Sequence, residues 1–222
     1  DKHTKVKLSA LKLIDVVVDK EYTRHIIPIL ITPLTFMLSD LSKECNELAL
    51  SILNKIFTKV DNKDINPLVP KLIEGMSNST KIATTIDAIS STTFVQNVDA
   101  ETLSIIVPML LSSFQYVPNS VKRQTIVIIE NMTKLVEDAY QALNFIEQLL
   151  PILNYGRTEI SEPEIRNVAE KAYIHLEKIN KKGQEIRQIK EENNNRLFSQ
   201  IPGLNSYHRE IIINMLYFNE FT

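Results

Sequence analysis

A short phrase returns four times along the chain: Ile27-Pro28-Ile29-Leu30, Val69-Pro70-Lys71-Leu72, Val107-Pro108-Met109-Leu110 and Leu150-Pro151-Ile152-Leu153. Its prolines, Pro28, Pro70, Pro108 and Pro151, stand 42, 38 and 43 residues apart. A period near forty residues holds one helix-turn-helix unit, and such a unit buries its apolar face only by stacking on its neighbours. The segments around and after each proline carry the spacing of a helical face. Leu103, Ile106, Val107, Leu110, Leu111 and Phe114 follow i, i+3, i+4, i+7, i+8, i+11, and Thr125, Ile128, Ile129, Met132, Leu135 and Val136 keep to one face after them. Leu41, Cys45, Leu48, Ala49, Ile52, Ile56 and Val60 do the same in an earlier unit, as do Ile165, Val168, Ala169, Ala172, Leu176 and Ile179 in the last. Proline within a helix removes a hydrogen bond and bends it. The phrase therefore predicts a kink at one fixed point of each repeat.

Period and mark match helix-pair repeats of the HEAT or armadillo type. The expected architecture is all-α: a HEAT-repeat solenoid of antiparallel helix pairs over residues 1–179. It comprises a truncated first repeat at 5–19 and helix pairs at about 24–60, 65–94, 100–136 and 140–179. Residues 180–196, charged and poorly periodic, read as a connector, and 197–222 as the start of a helical bundle, with a helix over Ser206–Phe218. Offsets agree between units: Arg123 and Arg166 both lie 15 residues past their prolines, and Ala49 and Ala172 both lie 21 past theirs. Four pairs exceed the roughly three repeats that a continuous core needs. The chain opens without an initiator Met and stops directly after an apolar run, so it reads as a piece of a longer polypeptide.

Composition narrows the chemistry. Lys and Arg number 25 against 27 Asp and Glu, a net charge of −2, which argues against a surface that grips nucleic acid all over. Four glycines argue against phosphate-cradling loops and turn-rich β folds, and one cysteine excludes disulfides and Cys-rich zinc sites. At 44% apolar, with Ile26–Leu38 interrupted by Pro28, Thr32, Pro33 and Thr35, the chain is expected to be soluble and intracellular with no membrane span. No Walker A motif, HExxH or nucleophile–base pair occurs, so no metal or catalytic residue is expected. His175 reads as a satisfied, half-exposed side chain, and Cys45 as a small hydrophobe on its helix's apolar stripe.

A neutral protein can still carry a local basic patch. Lys122 and Arg123 open the second helix of the fourth unit and Lys134 closes it; Arg123, Glu130 and Lys134 share an outward stripe. The plain reading is a solvated face with one Glu130–Lys134 pair at i, i+4. The functional reading is a ladder that meets phosphate. Arg166, in Glu164-Ile165-Arg166, has the acid-x-Arg form that in HEAT repeats bonds to neighbouring repeats and turn carbonyls. Lys178, Lys181, Lys182, Arg187, Lys190 and Arg196 are offset by Glu177, Glu185, Glu191 and Glu192, the pattern of a solvated segment.

Residues 86–179 resemble a known family. Ser91-Thr92-Thr93-Phe94-Val95, Thr102-Leu103-Ser104-Ile105-Ile106-Val107-Pro108-Met109-Leu110-Leu111, Val121-Lys122-Arg123-Gln124 and Ile128 through Asp138 are similar to the HEAT domain of the fungal-type translation elongation factor three. Leu149-Leu150-Pro151 and Glu162-Pro163-Glu164-Ile165-Arg166 complete the likeness. Two departures stand out: Ser112-Ser113-Phe114 replaces a basic Arg-Gly-Leu step, which weakens transfer of a basic contact there, and Ala139 replaces a proline. The resemblance implies a cytoplasmic, ribosome-associated factor whose HEAT solenoid touches rRNA and ribosomal proteins, with other translation factors as further partners. In that family two ATP-binding cassettes drive release of deacylated tRNA from the ribosomal exit site. ATP and Mg are expected only in such cassettes, outside this chain, which by itself is expected to be no enzyme and to take no small-molecule substrate. A generic protein-binding HEAT scaffold, and the ribosome-binding HEAT segment of the activator of the general amino-acid control kinase, are the alternatives.

Overall fold

The computed structural model describes residues 3–20, 26–116 and 118–199. The expected bundle start therefore lies, beyond Ser199, outside the described residues. The described helices are α1 (Thr4–Val18), α2 (Ile27–Met37), α3 (Lys43–Phe57), α4 (Val69–Ser77), α5 (Ile82–Ser90), α6 (Ala100–Tyr116), α7 (Asn119–Thr133), α8 (Ala139–Thr158) and α9 (Pro163–Ser199). Single 3-10 turns at Asn66–Leu68 and Ser79–Lys81 precede α4 and α5. Helices pair as α2 with α3, α4 with α5, α6 with α7 and α8 with α9, and the fold is an all-α solenoid. The first members form one layer, here the A layer; α1 packs on α3, α5 on α7 and α7 on α9 to form the opposite B layer.

Helix starts follow from side chains that satisfy the free N–H groups of a first turn. Asp138 accepts from the Tyr140 and Gln141 amides at 2.9 and 3.1 Å, and Asp99 from the Thr102 amide at 2.8 Å. In α8, Ala142, Leu143, Ile146, Leu149 and Leu153 are buried, as helical periodicity requires. α6 differs. Thr102 to Val107, Met109, Leu110 and Ser113 are all buried, because α2, α4, α5, α7 and α8 surround it. Its buried surface therefore runs over most of the circumference rather than along one stripe, with the polar Thr102, Ser104 and Ser113 inside it and Gln115 left outside.

The marker prolines do not sit at one fixed point. Pro28 and Pro70 occupy the first turns of α2 and α4, whereas Pro108 and Pro151 lie inside α6 and α8. The difference is in helix length upstream. α6 and α8 begin two or more turns before their prolines, while the residues before Pro70 form the Asn66–Leu68 turn. A first-turn proline gives up an N–H that has no helical partner anyway; Pro108 forgoes the bond to the Ser104 carbonyl.

Residues 180–196, expected as a connector, are instead the continuation of α9. α9 runs antiparallel to α8 and is joined to it through small residues. Gly156 approaches Ala169, and the α-carbon of Gly183 lies so close to the Ala139 carbonyl that an added β-carbon would stand 2.5 Å from its oxygen. Gly183 is thus a contact point between two helices.

The link between α2 and α3 is also fixed. The Lys7 ammonium donates to Asp40 at 2.6 Å, and Asp40 accepts from the Ser42 amide at 2.9 Å.

Candidate nucleic-acid interface

α7 places the three basic residues singled out from the sequence. Val121, Thr125, Ile128, Ile129 and Met132 turn into the core, which leaves Lys122, Arg123, Glu130 and the C-cap Lys134 toward solvent. Each cation meets a partner within the protein. Arg123 reaches α9, with Nε 2.9 Å and a terminal nitrogen 2.6 Å from one Glu164 oxygen. Lys134 lies 3.0 Å from Glu130. The Lys122 ammonium stands 5.6 Å from the centre of the Tyr155 ring. Beside it Asn119 donates to both oxygens of Glu162 at 2.9 and 3.0 Å. That bond, helped by the Glu162 backbone amide, the Ser161 hydroxyl and the Lys122 charge, holds the Glu162 carboxyl below its ordinary value.

The stripe is therefore charge-balanced, with Glu130, Glu162 and Glu164 interleaved among the cations. Its ion pairs are half-exposed, and pairs of that kind hold their partners by only about 0–1 kcal/mol. An incoming phosphate can replace a carboxylate at such a site without leaving a buried charge unpaired.

Arg166 departs from its expected role. It is exposed and, among the described residues, its side chain makes no hydrogen bond or ion pair. The bond between repeats comes from its neighbour Glu164 to Arg123. Arg123 occupies the equivalent place one unit earlier and points to the next B helix, α9; beyond α9 no further B helix exists among the described residues.

Single-sequence reasoning missed a pattern of which Arg123–Glu164 is one instance. Lys55 of α3 donates to Asp15 of α1 at 2.8 Å, which raises its pKa, with Asp19 adding to the effect. Arg187 reaches Glu147 at 3.4 Å. The buried Asn62 donates to Thr102 at 3.2 Å and accepts from the Asp64 and Ile65 amides, while Asp64 accepts from the Val95 and Gln96 amides. Apart from the local bonds that Asn62 accepts from Asp64 and Ile65, partners in these bonds are 31 to 41 positions apart, about one repeat. The period itself was the signal that could have found them.

His175 is half-buried, and among the described residues its enclosed Nε2 finds no hydrogen-bond partner, so it differs there from the satisfied side chain expected. Cys45 is fully buried, as expected. Among the described residues no group of His, Cys, Asp and Glu could hold a metal ion, and no helix is long and apolar enough to cross a membrane.

Comparison with known proteins agrees with the fold. The elongation factor 3/GNC1 HEAT repeat family matches residues 81–187. Elongation factor 3B of Saccharomyces cerevisiae is 38% identical over 183 residues, covering 82% of this chain and 18% of that protein. Elongation factor 3 of Pneumocystis carinii is 34% identical, over 77% of this chain and 16% of its own length. For elongation factor 3 of Candida albicans the identity is 33%, over 80% and 17%. The chain spans less than a fifth of the length of these relatives. A matched family and several translation factors at this identity, on a stack of helix pairs, place the chain among proteins with an elongation factor 3-type HEAT-repeat region.

Proposed function

We propose that this chain is the ribosome-docking HEAT module of an elongation-factor-three-like translation factor that works in the cytoplasm. Its surface supplies docking area to rRNA and ribosomal protein. ATP-binding cassettes elsewhere in the protein would bind ATP and Mg and drive release of deacylated tRNA from the exit site. The observation that carries this reading is the 33–38% identity to elongation factors 3 across about four-fifths of the chain. The α7 stripe fits a role beside rRNA because its cations are partly exposed, Arg123 on an exposed Glu164 that phosphate can displace, Lys134 on Glu130 and Lys122 over the Tyr155 ring.

Co-sedimentation of the chain with purified ribosomes over a range of KCl tests it. Changing Lys122, Arg123 and Lys134 to Glu is expected to weaken binding and to reduce the slope of log affinity against log salt by about 2–3, at roughly 0.7–0.9 per lost phosphate contact. An unaltered slope removes these residues from the interface. A wild-type chain that stays in the supernatant at low salt refutes ribosome docking by this piece.

A further inference from the structure

The B helices share one register of buried positions. In α3 it reads Cys45, Ala49, Ile52, Leu53 and Ile56, all fully buried. α7 repeats it 76 positions on as Val121, Thr125, Ile128, Ile129 and Met132, again all buried. α9 keeps it 44 positions later at Ile165, Ala169, Ala172 and Leu176. Carried 39 positions back from α3, the same register falls on Val6, Ala10, Leu13, Ile14 and Val17 of α1. These residues are also apolar, but they are not enclosed. Val6 is 49% and Leu13 67% exposed, Ala10 is exposed, and Ile14 and Val17 are half-buried. α1 meets α3 through another side, where Leu11 and Val18 are buried and Asp15 bonds Lys55.

The difference lies in the A layer. α3 is backed by α2 and α4, and α7 by α6 and α8. α1 instead borders a groove of about 200 Å³, walled by its own Val6, Ala10 and Ile14 and by Pro33 and Met37 of α2. The one charged residue of the lining, Lys7, is bonded to Asp40.

We propose that this groove seats an A-layer helix supplied by the protein's own polypeptide, N-terminal to residue 1. An A helix touches the B helix of its own unit and the A helix of the next, as α6 touches α7 and α8. The groove offers those two surfaces, α1 and α2. Its occupant is an amphipathic helix with an apolar stripe toward Val6, Ala10, Leu13 and Val17 and a polar outer face. Seating it takes out of water the apolar face that α1 exposes alone, which is what stacking does for each unit of a repeat array. A face made for a separate partner has no cause to copy the interior register residue by residue. The assignment stands whether or not the module docks ribosomes.

Hydrogen exchange read by mass spectrometry on the 222-residue chain and on the full-length product of its gene tests it. Amides of α1 are expected to exchange roughly tenfold or more slowly in the full-length protein, because the added helix must open before they do. Leu13→Asp separates cover from intrinsic stability. In the 222-residue chain position 13 is exposed, and exchange across α1 is expected to stay as in wild type. In the full-length protein the same change buries an unpaired charge, and α1 is expected to return to the fast exchange of the shorter chain. A benzophenone amino acid at position 13 of the full-length protein is expected to cross-link to sequence upstream of residue 1. Equal exchange in the two proteins, a Leu13→Asp effect of the same size in both, or cross-linking to a second copy or to residues 200–222 overturns the proposal. So does a gene product that begins at residue 1, since it has no helix to donate.

Discussion

Asp40 shows how single residues tie the helix pairs together. Its carboxylate is 8% exposed and is held below the ordinary aspartate value, first by the hydrogen bond from Lys7 and then by the Ser42 amide, against the effect of burial. A carboxyl with a lowered folded-state pKa adds stability above its unfolded value of 3.8, and that stability is lost as pH falls through the folded value. Asp40→Asn is therefore expected to melt below wild type at pH 7, and the two melting temperatures should converge as the pH falls below about 4. Parallel curves across that range would show that the Asp40 charge does not support the fold. The Glu130–Lys134 pair was legible because it spans one helical turn. Arg123–Glu164 was not, because its partner lies on another helix and only stacking brings it near.

At the scale of elements, helix periodicity was visible wherever a helix buries one side. It located the buried faces of α3, α7 and the first half of α9, with Cys45, Ala49, Ala169 and Ala172 among them, but Leu41, counted on the α3 stripe, precedes that helix and is fully exposed. It understated α6, since a helix enclosed by five others buries Thr102, Ser104 and Ser113 beyond its apolar stripe. It also failed at 180–196, where a charged, exposed outer face hid the narrow contact that keeps α9 going. Gly183 is the residue of that contact. Gly183→Ala is expected to cost about 1–3 kcal/mol, the usual range for overpacking, because the obstacle is the Ala139 backbone and cannot rotate away. For a chain of this size that lowers Tm by several degrees in a thermal melt. A variant as stable as wild type, through the better helix propensity of Ala, would show that the two helices part easily there. Proline position was misread for a related reason: the phrase marks a place in the repeat, while each helix start depends on the residues upstream.

For the whole molecule, the repeat period foretold the class of fold, a solenoid of antiparallel helix pairs; the separation at which repeats bond to one another was implicit in it but went unread. It did not foretell that α2 would pack directly on α6. In a regular solenoid each unit touches only its neighbours. Here α4, with nine residues, is too short to fill the A layer, and Gly75 lets it sit tightly against Thr85 and Met109. Hydrogen exchange should read this arrangement as a gradient, with amides of α6 slowest and those of α1 and of α9 beyond Gly183 fastest. Equal protection along the stack would mean that it opens as one unit and that α6 has no special place.

The short α4 has a mechanical consequence. On one side α2 closes over it onto α6, while on the other the contact between α3 and α5 is slight at most. At its third unit the stack is therefore closed by contact in the A layer and left open between the B helices α3 and α5. The contact that closes it joins helices about seventy positions apart in the chain, α2 and α6. A load that parts the first units from the rest must peel α2 away from α6. That contact spans the short α4 as a latch would.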